Sequence, residues 1–220
     1  MKYENVLFDF DGTLADSSKI ILPCIENAYR QLGMPVPSDN ILRKFIGPPL
    51  QESFQIIGMP DELIERAVSI YRQTFNNNKF EDMLLFDGIR DLLLALQNAG
   101  TRLAVASVRI EDKLQEICMQ LGLDNYFEKV CGRVDTEGVL TKADVVRRSL
   151  EMLGNPAGRT VLIGDSKFDE EGAEEMGIDF IAVLYGFGFV EKADVRKSVF
   201  IADSAGSLAD YLFTSDIDNQ

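Results

Sequence analysis

Residues 5–18 read NVLFDFDGTLADSS. Val6, Leu7 and Phe8 form an unbroken apolar run, the pattern of a parallel strand covered on both faces. The Asp-Gly-Thr at 11–13 then ends the run as a loop. Asp9 and Asp11 stand directly at the end of the apolar run, and Asp16 follows at the boundary of the next segment. Residues two apart in a strand project to the same side. Two carboxylates placed so repel each other unless a cation lies between them or one holds a proton.

Working outward, strands alternate with helices from Phe86 onward. Strands are expected at 102–107 (RLAVAS), 127–132 (FEKVCG), 160–165 (TVLIGD), 179–185 (DFIAVLY) and 198–203 (SVFIAD). Helices are expected at 89–99, 111–121, 142–153, 168–176 and 205–213. That alternation predicts an α/β fold, a Rossmann-like doubly wound parallel sheet. The region from Ser17 to about residue 78 is different, because its periodicity is helical throughout. A first helix covers 18–32, with Ile21, Ile25, Ala28, Tyr29 and Leu32 on one face. A second starts at Ser38 or Asp39 and ends at Gly47-Pro48-Pro49, and a third covers 50–57. A fourth begins at Pro60, with Asp61 and Glu62 in its first turn, and ends at NNNK, 76–79. Its stripe is Leu63, Ile64, Ala67, Val68 and Tyr71. The expected organisation is a core domain of 1–15 and 84–220, with an α-helical cap domain of 16–83 inserted after the first strand. Hinges are expected near 14–17 and 77–86.

Composition narrows the chemistry. The 220 residues are 46% apolar, which permits a sizeable core. Histidine is absent, which excludes Ser-His-Asp and Cys-His catalysis and histidine zinc sites. Cys24, Cys118 and Cys131 form no Cys-x-x-Cys pair and are expected as buried thiols. The net charge of −14 argues against nucleic acid or an anionic membrane as partner. No segment approaches the ~20 apolar residues of a membrane helix, and the N-terminus lacks a signal-peptide layout, so a cytoplasmic protein is expected.

In an open parallel sheet, ligands bind beyond the carboxyl ends of the strands. Those ends carry Asp9, Asp11 and Thr13 on the first strand, Ser107 on the next, and Gly164-Asp165 on a third. Lys142 opens the helix before that third strand. Three acidic groups without histidine or thiolate suit a hard, oxygen-seeking cation, Mg²⁺ best of all.

FDFDGTLADS, Ser107 at a strand end, Lys142, and GDSKFDEEGA (164–173) together resemble the four ordered motifs of the haloacid dehalogenase superfamily. More narrowly they resemble its phosphoglycolate phosphatase-like group, which has a helical cap; IGPPLQESF (46–54) and YGFG (185–188) are similar to that group's pattern. The resemblance implies that Asp9 is a nucleophile forming an aspartyl-phosphate and that Asp11 is the general acid and base. It implies that Asp9, the backbone carbonyl of Asp11, and Asp165 hold Mg²⁺, that Ser107 donates to the phosphoryl group, and that Lys142 neutralises charge. Asp169, Gly12, Thr13 and Ser166 are implied as supporting residues. Val108 and Arg109 depart from the usual small polar residue followed by Lys. Arg109 and, in the insertion, Arg43 are the implied substrate contacts. Gly186-Phe187-Gly188 lacks the rest of a dinucleotide fingerprint and reads as a turn.

The implied activity is Mg²⁺-dependent hydrolysis of a small phosphorylated metabolite: phosphoglycolate, a nucleotide or a sugar phosphate. The protein would act as a monomer or homodimer. A phosphomutase of the same fold and a non-catalytic phosphometabolite-binding protein are the competing expectations. Asp11 argues against a dehalogenase.

Overall fold

The computed structural model describes residues 1–78, 80, 83–138, 140–154 and 159–214. In chain order, β1 (Asn5–Phe8) and the short β2 (Ala15–Asp16) precede four helices: α1 (Ser18–Gln31), α2 (Asp39–Leu42), α3 (Leu50–Ile56) and α4 (Asp61–Asn76). The short β3 (Leu84–Leu85) follows, then α5 (Ile89–Asn98), β4 (Arg102–Ile110), α6 (Glu111–Gln120) and β5 (Lys129–Arg133). The chain finishes with α7 (Lys142–Met152), β6 (Thr160–Gly164), α8 (Lys167–Met176), β7 (Asp179–Val183), β8 (Phe200–Ala202) and α9 (Ala205–Phe213). It divides into two compact units, 1–15 with 85–220, and 16–84. Both passages between the units fall in the two-stranded ribbon of β2 and β3. Lys79 of the expected terminator NNNK, and 81 and 82 of the expected 77–86 hinge, lie outside the described residues.

The first unit holds the sheet, in the order β5-β4-β1-β6-β7-β8, with every neighbouring pair parallel. Counted in chain order, these strands run 3-2-1-4-5-6, the doubly wound arrangement expected from the alternation. β1 is central, paired with β4 on one side and β6 on the other, and all four of its residues are buried. Burial on both faces is why its sequence shows no polar alternation. The direction of winding reverses between β1 and β6, so the crevice outside their carboxyl ends is the switch point where such sheets bind ligands. Leu7, Ala104, Leu162 and Ala182 pack with Val145, Val146 and Ala173 of α7 and α8 in one buried cluster.

β4 runs three residues further than the sequence predicts. Its pairing with β5 shifts register between Ala106 and Ile110. The extension depends on Gly132 of β5, where a Cβ would lie 2.6 Å from the Arg109 carbonyl oxygen and 2.5 Å from the Glu111 Cα. The bare backbone of β5 can therefore follow β4 past Ser107, which a side chain would prevent.

In the second unit α1 packs on α4, and α3 also packs on α4. Ile21, Ile25, Ala28 and Tyr29 of α1 are buried, as are Ile64, Ala67 and Val68 of α4. Leu32 and Tyr71 are half-buried, and Ile70 and Phe75 of α4 are buried in addition to the expected stripe. Phe54 is the hub of an aromatic cluster, with ring centroids 6.0 Å from Tyr29 and 4.9 Å from Phe45. The second expected helix is shorter than the sequence implies: α2 is one turn, continued by a 3₁₀ turn over Arg43–Phe45. Burying both Leu42 and Phe45 requires the 3-residue spacing of that tighter turn. Asp16 accepts from the Ser18 amide at 3.0 Å and its hydroxyl at 2.5 Å, which fixes the start of α1.

All three cysteines are buried. Among the described residues, no helix is long and apolar enough to cross a membrane.

Candidate active site

Asp9 leaves the end of β1 still in the ladder, its amide donating to the Ile163 carbonyl at 2.9 Å. The carboxylate meets Lys142 from the first turn of α7. Lys142 Nζ lies 2.5 Å from Asp9 Oδ1, 2.6 Å from Asp169 Oδ1 and 2.6 Å from the Ala106 carbonyl oxygen. All three of its ammonium hydrogens thus have acceptors, the condition for burying such a charge. The lysine is aimed by its helix start. Thr141 Oγ1 accepts from the Asp144 amide at 3.1 Å, and Asp144 Oδ2 accepts from the Thr141 amide at 3.0 Å, a capping box. Asp169 is fixed in the same way at the start of α8. Its Oδ2 accepts from the Ser166 amide at 3.0 Å and the Ser166 hydroxyl at 2.6 Å, leaving Oδ1 for Lys142.

Asp165 follows β6. Its Oδ2 accepts from the amides of Phe187, at 2.7 Å, and Gly188, at 3.0 Å, while its backbone carbonyl accepts from the Phe189 amide at 2.7 Å. Its Oδ1 is buried and has no hydrogen-bond partner among the described residues. Two glycines allow this packing. A Cβ on Gly12, which adopts φ +85°, would lie 2.2 Å from Asp165 Oδ2; one on Gly186 would lie 2.4 Å from the same oxygen and 2.3 Å from the Gly12 carbonyl oxygen. The far end of the loop carrying Gly186–Gly188 is pinned by buried Glu170, which accepts from Arg196 Nε at 3.0 Å and from the Lys197 amide.

Asp9, Asp165 and Asp169 are all buried, each offering an oxygen within 4.8 Å of the others. Their only close ammonium among the described residues is that of Lys142. Fully ionised, three carboxylates and one ammonium carry two excess negative charges, which one divalent cation would balance. Burial raises the Asp9 carboxyl well above the ordinary carboxylate range; Lys142 opposes this, and Asp169 and Asp165 add to it. Burial pushes Asp165 up to about 7, with Asp169 adding and the Phe187 and Gly188 amides opposing. Burial also disfavours the Lys142 ammonium, yet Asp169 and Asp9 outweigh it and hold the amine above its ordinary range. The cluster is therefore short of positive charge, and the unpartnered Asp165 Oδ1 is an oxygen waiting for it. Both features fit Mg²⁺.

Asp11 is outside this cluster. Arg109 Nε donates to its Oδ2 at 3.1 Å and Nη2 to its Oδ1 at 2.5 Å. Ser107 is buried in β4, beyond the last β1 pairing at Phe8–Val105, and its Oγ accepts from the Arg109 amide at 3.4 Å. The Thr13 carbonyl accepts from the Tyr185 hydroxyl at 3.1 Å.

The structure thus brings Asp9, Lys142, Asp169 and Ser166 together through direct contacts and places an Asp165 oxygen within 4.8 Å of those of Asp9 and Asp169. It joins Gly12 to Asp165 and Arg109 to Asp11 and Ser107. Arg43 belongs to the other unit, where it is exposed on the 3₁₀ turn with Lys44. Sequence reasoning missed the role of Gly186-Phe187-Gly188, which it read as a turn, and that of the Ala106 carbonyl. The glycine spacing was visible, but a backbone amide aimed at a carboxylate 22 residues earlier leaves no mark in the side-chain pattern.

Residues 6–183 match the haloacid dehalogenase-like hydrolase family, and the chain belongs to it. Among curated proteins, it is 33% identical over 200 residues to the tyrosine-protein kinase PtkA of Mycobacterium tuberculosis, covering 91% of this chain and 68% of that one. It is 35% identical over 190 residues to a 5'-nucleotidase of Pseudomonas aeruginosa, covering 86% of each. Among solved structures, a haloacid dehalogenase-like family hydrolase of Streptococcus pneumoniae superimposes with a TM-score of 0.88 at 31% identity, covering 96% of this chain and 99% of the other.

Proposed function

We propose that this protein is a Mg²⁺-dependent phosphatase that hydrolyses a small phosphomonoester through an aspartyl-phosphate on Asp9. The observation that carries the reading is the charge-deficient cluster of Asp9, Asp165 and Asp169 around Lys142 at the switch point of the sheet. Membership of the hydrolase family and the likeness to a 5'-nucleotidase support it.

Asp9 and Asp165, with the backbone carbonyl of Asp11, would hold Mg²⁺. Bound there, the ion supplies a Lewis acid that offsets the charge of the phosphoryl oxygens. Asp9 attacks phosphorus, and the ester oxygen leaves with a proton from Asp11. Asp11 then takes a proton from the water that attacks the aspartyl-phosphate, which restores Asp9. Lys142 holds Asp9 in place and offsets charge on the transferring group, and the Ser107 hydroxyl donates to a phosphoryl oxygen. Asp169 holds Lys142. The helical unit 16–84 serves as the cap that selects the substrate, with Arg43 a candidate contact. A soluble metabolite in the cytoplasm, such as phosphoglycolate, a nucleotide or a sugar phosphate, fits this chemistry.

The test is release of inorganic phosphate from an aryl phosphate and then from a panel of metabolites, with and without Mg²⁺. Asp9→Asn, folded as judged by circular dichroism, should release none. Metal-independent turnover, or turnover retained by the variant, would overturn the reading. Phosphate retained on an isomerised sugar would indicate a mutase instead, and tight phosphometabolite binding without turnover a binding protein. The likeness to PtkA favours a second reading, in which the phosphoryl group passes to a tyrosine. Label appearing on tyrosine after incubation with ATP would establish it.

A further inference from the structure

The mechanism above gives Asp11 a proton to move but leaves its partner Arg109 without a task. The pair is closed on both sides, with Nε on Oδ2 and Nη2 on Oδ1, and the two side chains are only 9% and 13% exposed. Such a fork-on-fork contact fixes the plane of the carboxyl group as well as its position, which the point charge of a lysine cannot do. Arg109 is itself held. Its guanidinium carbon lies 5.9 Å from the centroid of the Phe10 ring, its amide reaches Ser107 Oγ, and its backbone belongs to the stretch of β4 that runs beside Gly132. Lys142, by contrast, is committed to Asp9 and Asp169. The site thus has two resident cations, Lys142 on Asp9 and Asp169 and Arg109 on Asp11.

We propose that Arg109 is the positioning residue for Asp11, holding its carboxyl group in the plane and direction from which it serves the leaving oxygen. This rests on the phosphatase reading. In the first half-reaction the bond from Asp9 to phosphorus forms and the bond from phosphorus to the ester oxygen breaks. That oxygen takes the proton from Asp11 and departs as the alcohol. Arg109 keeps the resulting carboxylate in place until water returns a proton to it in the second half-reaction. A residue acting in this way matters in proportion to how badly the leaving group needs a proton.

That proportion is the test. Values of kcat/KM, which report the steps through phosphorylation of Asp9, are measured with Mg²⁺ on an alkyl phosphate and on dinitrophenyl phosphate, whose leaving group departs without a proton. Arg109→Gln should lose on the order of 10²-fold or more on the alkyl ester and less than about 10-fold on the dinitrophenyl ester. Arg109→Lys should recover part of the alkyl loss, and it provides the same comparison should Arg109→Gln fold poorly. Equal losses on the two esters would overturn the proposal, because they would place Arg109 on the phosphoryl group or in the fold. Unchanged alkyl rates would overturn it as well. Wild-type turnover is the reference for both ratios, so failure of the phosphatase reading shows as no wild-type turnover and is distinct from either result.

Discussion

Asp9 and Asp11 are two residues apart at the end of one strand, and the structure surrounds them in opposite ways. Asp9 shares one ammonium with Asp169 and has a carboxylate oxygen within 4.8 Å of one on Asp165, so its surroundings hold more negative than positive charge. Asp11 instead meets a guanidinium, with Arg109 Nε on its Oδ2 and Nη2 on its Oδ1. In the proposed mechanism that difference separates two tasks, attack by Asp9 and proton transfer by Asp11. The cluster around Asp9 is short of positive charge, which is what the proposed Mg²⁺ would supply. The Arg109 pairing holds the Asp11 carboxyl in place, apart from that cluster.

The contrast can be broken at several points. The largest effect belongs to Asp9→Asn, which should lower turnover by more than ~10⁴-fold on every ester, since no other group can accept the phosphoryl. Asp11→Asn should cost about 10²- to 10⁴-fold, and steady-state assays on esters of graded leaving-group ability should show the loss growing as the leaving group worsens. Equal sensitivity of the two variants to leaving group would erase the division of labour.

Lys142→Met probes the shared ammonium. It leaves Asp9 and Asp169 buried against each other, so the metal-free protein should lose about 3–5 kcal/mol of stability, read as a lower midpoint in denaturant. Added Mg²⁺ should recover part of that loss. A midpoint unchanged from wild type would mean that the cluster adjusts by taking up protons.

Gly186→Ala sharpens the comparison from the side of Asp165. The new methyl would fall against Asp165 Oδ2 and the Gly12 carbonyl, displacing the carboxylate and pressing on the loop next to Asp11. Mg²⁺ affinity, measured by calorimetry, should fall by about 10- to 100-fold, the usual cost of disturbing a group that orients a ligand.

The smallest effect lies one layer out, in the cap that aims Lys142. Hydrogen bonds from the Thr141 amide and hydroxyl, with help from Arg147 and the Leu140 amide, hold the Asp144 carboxyl down at about 2. Its folded-state value lies below that of the unfolded chain. Its contribution is therefore present above about pH 4 and is lost as pH falls toward about 2. Asp144→Asn should cost about 1 kcal/mol at neutral pH. Thermal melts across pH 2–5 should show a flatter acid slope for the variant.

Much of this was legible beforehand, for identifiable reasons. The unbroken apolar run at Val6–Phe8 announces a strand buried on both faces, and alternation with helices dictates a parallel sheet. Parallel sheets place strand ends on one edge, so Asp9, Ser107 and Asp165 could be assigned to it from sequence positions alone. The all-helical stretch from Ser17 had a local signature as well, in its caps, prolines and stripes. Where local reading failed, a long-range contact was responsible. The second helix shortened because Leu42 and Phe45 both had to be buried. β4 lengthened because Gly132 of a different strand let it continue.

What the sequence by itself determined was therefore the architecture and the inventory of charges: four aspartates, one lysine and one arginine near one sheet edge, with no histidine to share the work. Only the tertiary structure decided how those charges are paired. Lys142 goes to Asp9 and Asp169, Arg109 goes to Asp11, and the amides of Phe187 and Gly188 take one oxygen of Asp165 and leave the other open. Periodicity is a property of neighbours along the chain, whereas pairing is set over a few ångströms between residues as much as 133 positions apart. At that range, burial and the direction of a hydrogen bond choose the partner.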